Sequence, residues 1–276
     1  MEFMPQQIRV VTLNTWKCDG DYRNRLHWMA DGLLALRPDI LCLQEAFMCE
    51  ETRDDTTGFL AAQLSMSFEC LRSRRKQRDV QNARRDSWSN LAILSSMPLQ
   101  RLPDIKLTEI DADNDRWAMQ AIANLSDNRR IHLINTHLTH VRGPVGDAAR
   151  SEQAKQIAAL CKAHQADATV CCGDFNAERE SDALQDLWSA GFEKPKRESL
   201  GGTFQGPCAK NDLPSRRIDY IEIKAKTPGA LRFEQRRPAL NAPVGPNGEY
   251  PSDHAALVAD CIFEDIRQRA DTGVRK

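Results

Sequence analysis

Short apolar segments rich in β-branched residues alternate with helical patterns along most of the chain, and this alternation restricts the possible folds more than any other feature. Ile8 to Leu13 predicts a first strand and Asp39 to Leu43 a second, buried strand. Between them, Arg23 to Leu36 carries apolar residues at helical spacing, and Pro38 stops the helix. The three elements predict a β-α-β unit at the start of a layered α/β domain.

The same alternation continues towards the carboxyl end of the chain. Further strands are predicted at Leu91 to Leu94, Trp117 to Leu125, Ile131 to Thr136, Ala168 to Cys172, Arg217 to Ile223 and Ala255 to Phe263. Further helices are predicted at Phe59 to Met66, Asp147 to Ala163 and Asp182 to Trp188. Eight or more strands are too many for one helix-covered sheet. Two packed sheets with helices outside fit the pattern better.

Length and composition limit the classes of protein that remain. The 276 residues lie near the upper end of what one hydrophobic core holds. We therefore expect a single domain over 1–276, with a core from about 8–263 and a charged carboxyl-terminal tail. A hydrophobic content of 41% with 28% charged residues excludes a disordered or collagen-like chain. Apolar runs are far shorter than the roughly 20 residues of a membrane-spanning helix, and no signal peptide is visible.

Charge and cysteine usage give weaker indications. The net charge of −1 indicates no partner class. The nine cysteines are an odd number without a Cys-x-x-Cys pair, which argues against a zinc cluster. Cys42, Cys171, Cys172 and Cys261 lie in apolar, strand-like segments, where a reduced cysteine behaves as a small hydrophobic residue. The simplest interpretation is a set of free thiols in a reducing cytoplasm.

Acidic, amide and imidazole side chains gather where the predicted strands begin or end. They are Asn14, Glu45, His137, Asp174, Asn176, Asp253 and His254. If the last strand runs antiparallel to the others, its beginning shares a sheet edge with their carboxyl ends. Ligand sites in α/β sheets favour that edge. Taken singly, each residue also fits a turn, a cap or an ordinary surface charge.

Asp219 is harder to explain as an ordinary strand residue. It lies in Arg217-Ile218-Asp219-Tyr220-Ile221, where strand alternation places it on the face opposite Ile218 and Tyr220. A carboxylate within a strand is costly to bury unless it is paired. We therefore expect a partner such as a histidine.

The order of these motifs carries more information than any one of them. The motifs are Leu13-Asn14, Gln44-Glu45, Thr136-His137, Gly173-Asp174-Phe175-Asn176, Arg217-Ile218-Asp219-Tyr220 and Ser252-Asp253-His254. Together the series resembles the endonuclease/exonuclease/phosphatase superfamily, which includes DNase I-like nucleases, inositol-polyphosphate 5-phosphatases, neutral sphingomyelinases and deadenylases. The resemblance runs from Ile8 to about Phe263. It implies a four-layer α/β sandwich of two mixed β-sheets packed face to face, with helices outside.

The resemblance also implies a chemistry and a cofactor. The substrate would be a phosphate ester and the cofactor a divalent cation, usually Mg²⁺, with Mn²⁺ as the alternative. Oxygen ligands suit such hard cations. Glu45 would be the main ligand, with Asn14 close by and Asp253 contributing.

The remaining residues would carry proton transfer and phosphate binding. By resemblance, Asp174 would orient or deprotonate the attacking water, and Asn176 would donate hydrogen bonds to the phosphate. His254, oriented by Asp219, is the alternative base, and the choice between Asp174 and His254 stays open. His137 would donate to the phosphate or protonate the leaving oxygen.

Three functions are compatible with these residues. The leading one is a phosphodiesterase or phosphatase acting on a small or lipid-like ester, because Leu13-Asn14-Thr15-Trp16 looks most like the neutral sphingomyelinase-type members. The second is a nuclease, for which the best argument is the segment Arg72 to Asp86, with seven Arg or Lys against two Asp. We nevertheless expect this segment to be a solvated, mobile loop. A non-enzymatic binding module is least favoured, because every expected polar position is filled.

Overall fold

The computed structural model describes residues 6–193, 197–198, 201–209, 215–227 and 230–264. Within these ranges the chain forms fourteen strands and four α-helices. The strands are β1 (Gln6–Asn14), β2 (Ile40–Cys49), β3 (Asp54–Asp55), β4 (Ser67–Val80), β5 (Ala83–Ser95), β6 (Leu99–Arg101), β7 (Ile105–Lys106), β8 (Trp117–Asn124), β9 (Arg130–His137), β10 (Ala168–Asp174), β11 (Arg197–Glu198), β12 (Asp219–Ala225), β13 (Leu231–Ala239) and β14 (Ala256–Phe263). The helices are α1 (Tyr22–Leu36), α2 (Thr56–Leu64), α3 (Gly143–Ala163) and α4 (Gln185–Trp188).

The strands form two mixed sheets. The first has the order β11-β13-β14-β1-β2-β5-β4, with β3 beside β2, and the second has the order β12-β10-β9-β8-β6, with β7 beside β8. In the first sheet β1 runs parallel to β2 and antiparallel to β14. In the second, β10 runs parallel to β9 and antiparallel to β12.

Three buried layers of side chains hold the sheets and helices together. Val10 of β1 and Val170 of β10 belong to the core between the two sheets. Met29 and Leu33 of α1 pack on the outer face of the first sheet. Ile157 of α3 packs on the outer face of the second. The predicted four-layer sandwich is confirmed.

The predicted β-α-β unit is present with nearly the expected bounds. The carboxylate of Asp21 accepts the Asn24 amide at 3.3 Å and caps the start of α1. Arg37 ends the helix in the left-handed conformation, directly before Pro38. The strand β2 continues to Cys49, six residues past the predicted end. The extension matters because it carries Glu45.

The expectation of a solvated, mobile loop over the basic segment Arg72 to Asp86 is wrong. Ser67 to Val80 and Ala83 to Ser95 form a long antiparallel hairpin at the edge of the first sheet. Arginine-rich sequences resemble loops in composition. In an edge strand, however, the aliphatic part of each arginine can pack on the sheet while its charged group stays in solvent. The hairpin extends beyond the apolar residues that predicted only Leu91 to Leu94.

Smaller differences concern the carboxyl half of the chain. Leu231–Ala239 forms a strand that the sequence pattern does not predict, since it mixes charged residues with Pro238. The predicted helix Asp182 to Trp188 divides into a 3₁₀ turn and the short helix α4. The tail beyond Glu264 lies outside the described residues. No helix in the described part of the chain is long and apolar enough to cross a membrane.

Candidate active site

Strand ends from both sheets surround a cleft of about 300 Å³. The antiparallel pairing of β14 with β1 brings the beginning of β14 to the carboxyl end of β1, which is the direction assumed in the sequence analysis. The cleft is lined by Asn14, Trp16, Lys17, Glu45, Arg74, Lys76, Arg78, Arg116, His137, His140, Asp174, Asn176, Asp253 and His254. Seven of the eight predicted site residues are in this lining. The eighth, Asp219, lies directly behind His254.

Strand register in the second sheet sets three of these side chains side by side. Asp174, the last residue of β10, lies opposite His137, the last residue of β9. On its other side Asp174 lies opposite Asp219, the first residue of β12. Asp219 is therefore at a strand end, rather than within a strand as predicted. Its expected histidine partner is present.

His254 and Asp219 form a buried hydrogen-bonded pair. His254 Nδ1 lies 2.8 Å from Asp219 Oδ2, and both side chains are almost completely buried. The other ring nitrogen, Nε2, lies 3.8 Å from Asp174 Oδ2. The imidazole thus connects the two carboxylates, with Nε2 on the side of the cleft.

The carboxylate of Asp174 accepts hydrogen bonds from two asparagines. The side-chain amide of Asn14 donates to Oδ2 at 3.0 Å, and the backbone amide of Asn176 donates to Oδ1 at 2.9 Å. His137 Nε2 lies 3.3 Å from Oδ2. Asn176 adopts a left-handed φ of 53°, which turns the chain sharply after the strand. These contacts fix the carboxylate at the floor of the cleft.

Burial and neighbouring charges shift the pKa values of this group of residues. Burial, followed by the charge of Asp219, raises the pKa of Asp174 to about 7. Burial lowers the pKa of His254, but the carboxylates of Asp219 and Asp174 outweigh it and raise that pKa to about 10. At neutral pH the His254 imidazole is therefore cationic, and the Asp174 carboxyl group beside it gains and loses its proton readily.

His137 differs from His254 in its charge. Burial and the nearby guanidinium groups of Arg116 and Arg74 hold the pKa of His137 well below its usual value. Arg116 is itself fully buried, donates to the His137 carbonyl at 3.3 Å and pairs with Asp113. A neutral imidazole donates a hydrogen bond but is a poor store of a transferable proton. Hydrogen bonding to a phosphate oxygen fits His137 better than protonation of a leaving group.

Glu45 faces the cleft because β2 is irregular at this point. The pairing of β2 with β5 shifts register between Leu43 and Ala46, and Glu45 has a φ of 54°. Its carboxylate binds Lys17 Nζ at 3.0 Å. Burial raises the pKa of Glu45, but Lys17 outweighs this effect, so the net pKa is lowered. The carboxylate is ionised and partnered by a cation.

The donor set around Glu45 fits a divalent cation. Asp253 is half-buried, and its pKa is raised to about 6 mainly by burial and then, against the effect of His254, by the charge of Glu45. Two carboxylates that repel each other in a buried cleft favour a cation between them, and oxygen ligands suit Mg²⁺. The side-chain oxygen of Asn14 is less available to a cation than predicted, because Oδ1 already accepts a hydrogen bond from the Trp16 amide at 3.0 Å.

A second group of acidic and imidazole ligands lies next to this one. Among the described residues, Asp174, Asp219 and His254 bring one ligand atom each within 4.8 Å of one another. Asp219 Oδ2 and His254 Nδ1 are already engaged with each other through their hydrogen bond. Asp219 also does not reach the cleft lining.

The cleft also contains cations that the sequence either did not single out, as for Lys17 and Arg116, or assigned to a solvated loop, as for the other three. They are Lys17, Arg74, Lys76, Arg78 and Arg116. The spacing of Arg74, Lys76 and Arg78 by two residues was a usable signal, because alternate residues of a strand share one face. The composition of the segment hid the strand and therefore the signal.

Comparison with known proteins agrees with this geometry. The family model described as "Endonuclease/Exonuclease/phosphatase family" matches residues 11–254, most of the chain. This chain belongs to that family. The match begins in β1 and ends at His254, so it contains every predicted site residue. A search of curated proteins finds no match.

Solved structures of the family share the fold across nearly the whole chain. An endonuclease/exonuclease/phosphatase family protein from Bacteroides thetaiotaomicron has a TM-score of 0.71 and 16% identity, covering 96% of this chain and 98% of that one. A mannosyl-6-phosphatase from the same species has a TM-score of 0.68 and 18% identity, covering 93% and 100%. TDP2 of D. rerio, complexed with a single-strand DNA product, has a TM-score of 0.68 and 15% identity, covering 92% and 98%. At these identities the likeness establishes the fold.

Proposed function

We propose that this protein is a divalent-metal-dependent hydrolase of phosphate esters, acting on a small ester as a phosphodiesterase or phosphatase. The observation that carries the proposal is the position of Asp174. It lies beside the His254–Asp219 pair and shares one cation-lined cleft with the acidic residues Glu45 and Asp253. A base, a cationic hydrogen-bond donor and a set of oxygen ligands are the groups that phosphate-ester hydrolysis requires.

Glu45 and Asp253 would hold the metal, with Asn14 at the edge of the set. Magnesium is the proposed ion, since the donors are oxygen atoms and Mg²⁺ keeps several waters of its own. When bound, it would polarise the phosphoryl oxygens and neutralise part of their charge. Lys17, which holds Glu45 in an ion pair, would keep that carboxylate ionised.

Asp174 is the base that we propose for water activation. Its raised pKa of about 7 suits a group that takes a proton at neutral pH. His254 is the weaker candidate, because Asp219 stabilises its protonated form and a cation has no free lone pair to accept a proton. We propose instead that His254 donates from Nε2 to a phosphoryl oxygen as negative charge develops.

His137 and Asn176 would orient the phosphate. His137 is neutral and can donate one hydrogen bond without carrying a charge into the site. Asn176 donates its side-chain amide to the Leu138 carbonyl at 3.1 Å, which fixes the side chain at the mouth of the cleft. Its second amide hydrogen remains for the substrate.

A nuclease acting on DNA or RNA is the second candidate. It is favoured by the basic hairpin at the cleft and by the similarity to TDP2, whose solved structure contains a single-strand DNA product. The similarity to a mannosyl-6-phosphatase favours a small ester instead. The nine free cysteines support a reducing compartment such as the cytoplasm for either activity.

A substrate panel tests the proposal. Bis-(p-nitrophenyl) phosphate, plasmid DNA, RNA, sphingomyelin and inositol phosphates are each incubated with Mg²⁺ and with EDTA, using Asp174→Asn as the inactive control. We expect EDTA-sensitive hydrolysis of the small diester, with little cleavage of nucleic acid. Absence of hydrolysis of every substrate would contradict the proposed enzymatic function. Preferential cleavage of DNA or RNA would favour the nuclease.

A further inference from the structure

One face of the β4–β5 hairpin presents a row of cations to the cleft. Arg74, Lys76 and Arg78 alternate along β4 and therefore share a face, and all three line the cleft. In the hairpin they lie opposite Ser89, Ser87 and Arg85. From Arg74 to Arg78 the row spans four steps along the strand, about 13 Å, which is longer than one phosphate group.

Outside the cleft, the cations of the hairpin are paired with carboxylates. The pairs are Arg72 with Glu50, Arg75 with Asp86, Arg84 with Asp79 and Arg85 with Glu51. The positive charge of the segment is therefore largely balanced on its solvent side. It does not form a continuous basic track across the surface of the hairpin.

Inside the cleft, fewer of the hairpin cations are paired with carboxylates. Arg74 pairs with Asp113 at 2.7 Å, but within the described ranges neither Lys76 nor Arg78 has a carboxylate oxygen within 4.0 Å. Arg78 is held in place by Ser87, whose Oγ accepts from Nη1 at 2.9 Å. The charge of Arg74, then burial and the charge of Arg78, lower the pKa of Lys76. These neighbouring cations repel one another, and a bound anion would relieve the repulsion.

We propose that Lys76 and Arg78 form a binding site for a second phosphate, so that the substrate is a small compound carrying one phosphate beyond the scissile one. The inference rests on the proposed function, since it names the substrate class for the same cleft. Glu45, Asp174 and His254 serve the scissile group, which leaves the hairpin side for the second. Arg and Lys contacts to phosphate are strong because both partners are charged.

A small bisphosphate fits these observations better than a polynucleotide. The cleft of about 300 Å³ is at the lower end of small-ligand sites. Trp88, which lies two residues after the basic segment, stacks with Arg72 and Arg75 rather than joining the cleft lining. A strand of nucleic acid gains much of its affinity from stacking and from a basic path that continues along its backbone.

The test compares anions of increasing length by isothermal titration calorimetry in metal-free buffer at fixed salt. The probes are orthophosphate, tripolyphosphate and a single-stranded oligodeoxynucleotide. We expect wild-type protein to bind tripolyphosphate at least tenfold more tightly than orthophosphate, because each added charged contact changes affinity by about tenfold. Lys76→Ser combined with Arg78→Ser should abolish this excess. Lys76→Gln alone changes an exposed side chain, and it should remove part of the excess affinity for tripolyphosphate.

The matched control removes the same charge from the other face. Arg75→Ser combined with Arg84→Ser should leave the tripolyphosphate preference unchanged. A wild-type preference below tenfold, or one that survives in the Lys76/Arg78 variant, overturns the proposal. Tighter binding of the oligodeoxynucleotide, weakened equally by the control variant, overturns it in favour of nucleic acid. Because binding needs no turnover, the result is independent of whether the phosphoesterase assay succeeds.

Discussion

At the scale of single residues, the site depends on charges that are buried only because each has a partner. Asp219 is almost completely buried, and its Oδ2 bonds to His254 at 2.8 Å. The carboxylate of Glu45 is stabilised by an ion pair with Lys17. The carboxylate of Asp174 accepts hydrogen bonds from the amides of Asn14 and Asn176. Removing one partner leaves the other charge buried and unpaired, which costs far more than the net value of the pair.

Replacement of Glu45 tests the metal site. Glu45→Ala should reduce phosphoesterase activity at least about a hundredfold, about 2.7 kcal/mol in the activation free energy, because alanine supplies no oxygen ligand. Activity is measured with bis-(p-nitrophenyl) phosphate over a range of Mg²⁺ concentrations. Glu51→Ala, outside the cleft, serves as control. Near-normal turnover by Glu45→Ala at ordinary Mg²⁺ concentrations would show that Glu45 is not a metal ligand.

The Asp219–His254 pair is tested by a double-mutant cycle. Asp219→Asn should lower kcat by orders of magnitude, since the amide can no longer stabilise the imidazolium or fix its tautomer. Adding His254→Ala should reduce kcat only slightly further, because residues that act as one unit are not additive. Independent, fully additive losses would show that the two side chains work separately.

At the scale of elements, close strand contacts determine where the site residues lie. A Cβ atom added to Gly173 would lie 1.9 Å from the carbonyl oxygen of Thr136 on the neighbouring strand, and Gly173 has a φ of 143°. This position therefore requires glycine. It comes directly before Asp174, so the close packing of β10 on β9 also sets the position of the Asp174 carboxylate.

Substitution of this glycine tests the packing. Gly173→Ala should lower the free energy of unfolding by about 3 kcal/mol, because the methyl group forces the two strands apart. Gly191→Ala is the matched control. Gly191 also has a positive φ, of 81°, but no atom within 4 Å of the added Cβ, so its cost should be about 1 kcal/mol. Equal urea midpoints for the two variants would contradict the steric explanation.

A second histidine of β9 makes stability depend on pH. His132 is fully buried, its Nε2 bonds to Gln120 Oε1 at 2.9 Å, and its ring stacks on His164. Burial and then the charge of His164 lower the pKa of His132 to about 3. The unfolded chain accepts a proton near pH 6.5, whereas the folded chain stays neutral until about pH 3. Stability is therefore lost as pH falls through that interval.

Replacement of His132 should flatten this dependence. Between pH 6.5 and 4.5 the free energy of unfolding of His132→Gln should fall less steeply than that of the wild type, by up to about 1.4 kcal/mol per pH unit. Urea denaturation at several pH values measures the slope. His27→Gln, at an exposed position, is the control. Identical slopes for wild type and His132→Gln would show that His132 is not responsible.

At the scale of the whole molecule, a buried polar contact connects the two sheets beneath the site. The Gln44 side-chain amide donates to Asn135 Oδ1 at 2.7 Å. Asn135 in turn donates to the backbone carbonyls of Leu43 and Ala92 at 2.9 Å each. Glu45 and Thr136 are the next residues along their strands. The contact therefore holds the strand that carries Glu45 against the strand that carries His137.

Breaking this contact should destabilise the fold. Asn135→Leu should lower the free energy of unfolding by about 3 kcal/mol, because several buried polar groups lose their partner. Adding Gln44→Leu should cost less than the sum of the two single changes, since the pair is removed together. Both are measured by urea unfolding. Strict additivity would mean that the sheets are joined mainly by their apolar core.

The layers of the fold and the family could be predicted from the amino-acid sequence alone. Strand and helix periodicities follow from local geometry, so the β-α-β unit and two packed sheets were predictable before any contact was known. The meeting of these side chains at one cleft was predictable because acidic, amide and imidazole residues followed strand after strand in the family's order. Their individual roles stay proposals until the variants are tested.

The distances and electrostatic interactions among these groups could not be predicted from the sequence, because they depend on how distant segments pack. The register of β10 with β12 set Asp174 beside Asp219, and the irregular pairing of β2 with β5 aimed Glu45 into the cleft. The hairpin of Arg74, Lys76 and Arg78 formed although its composition resembles a loop, because an edge strand needs only one packed face. Local sequence fixes backbone preference and side-chain chemistry, whereas burial, register and neighbouring charge arise from segments far apart in the chain.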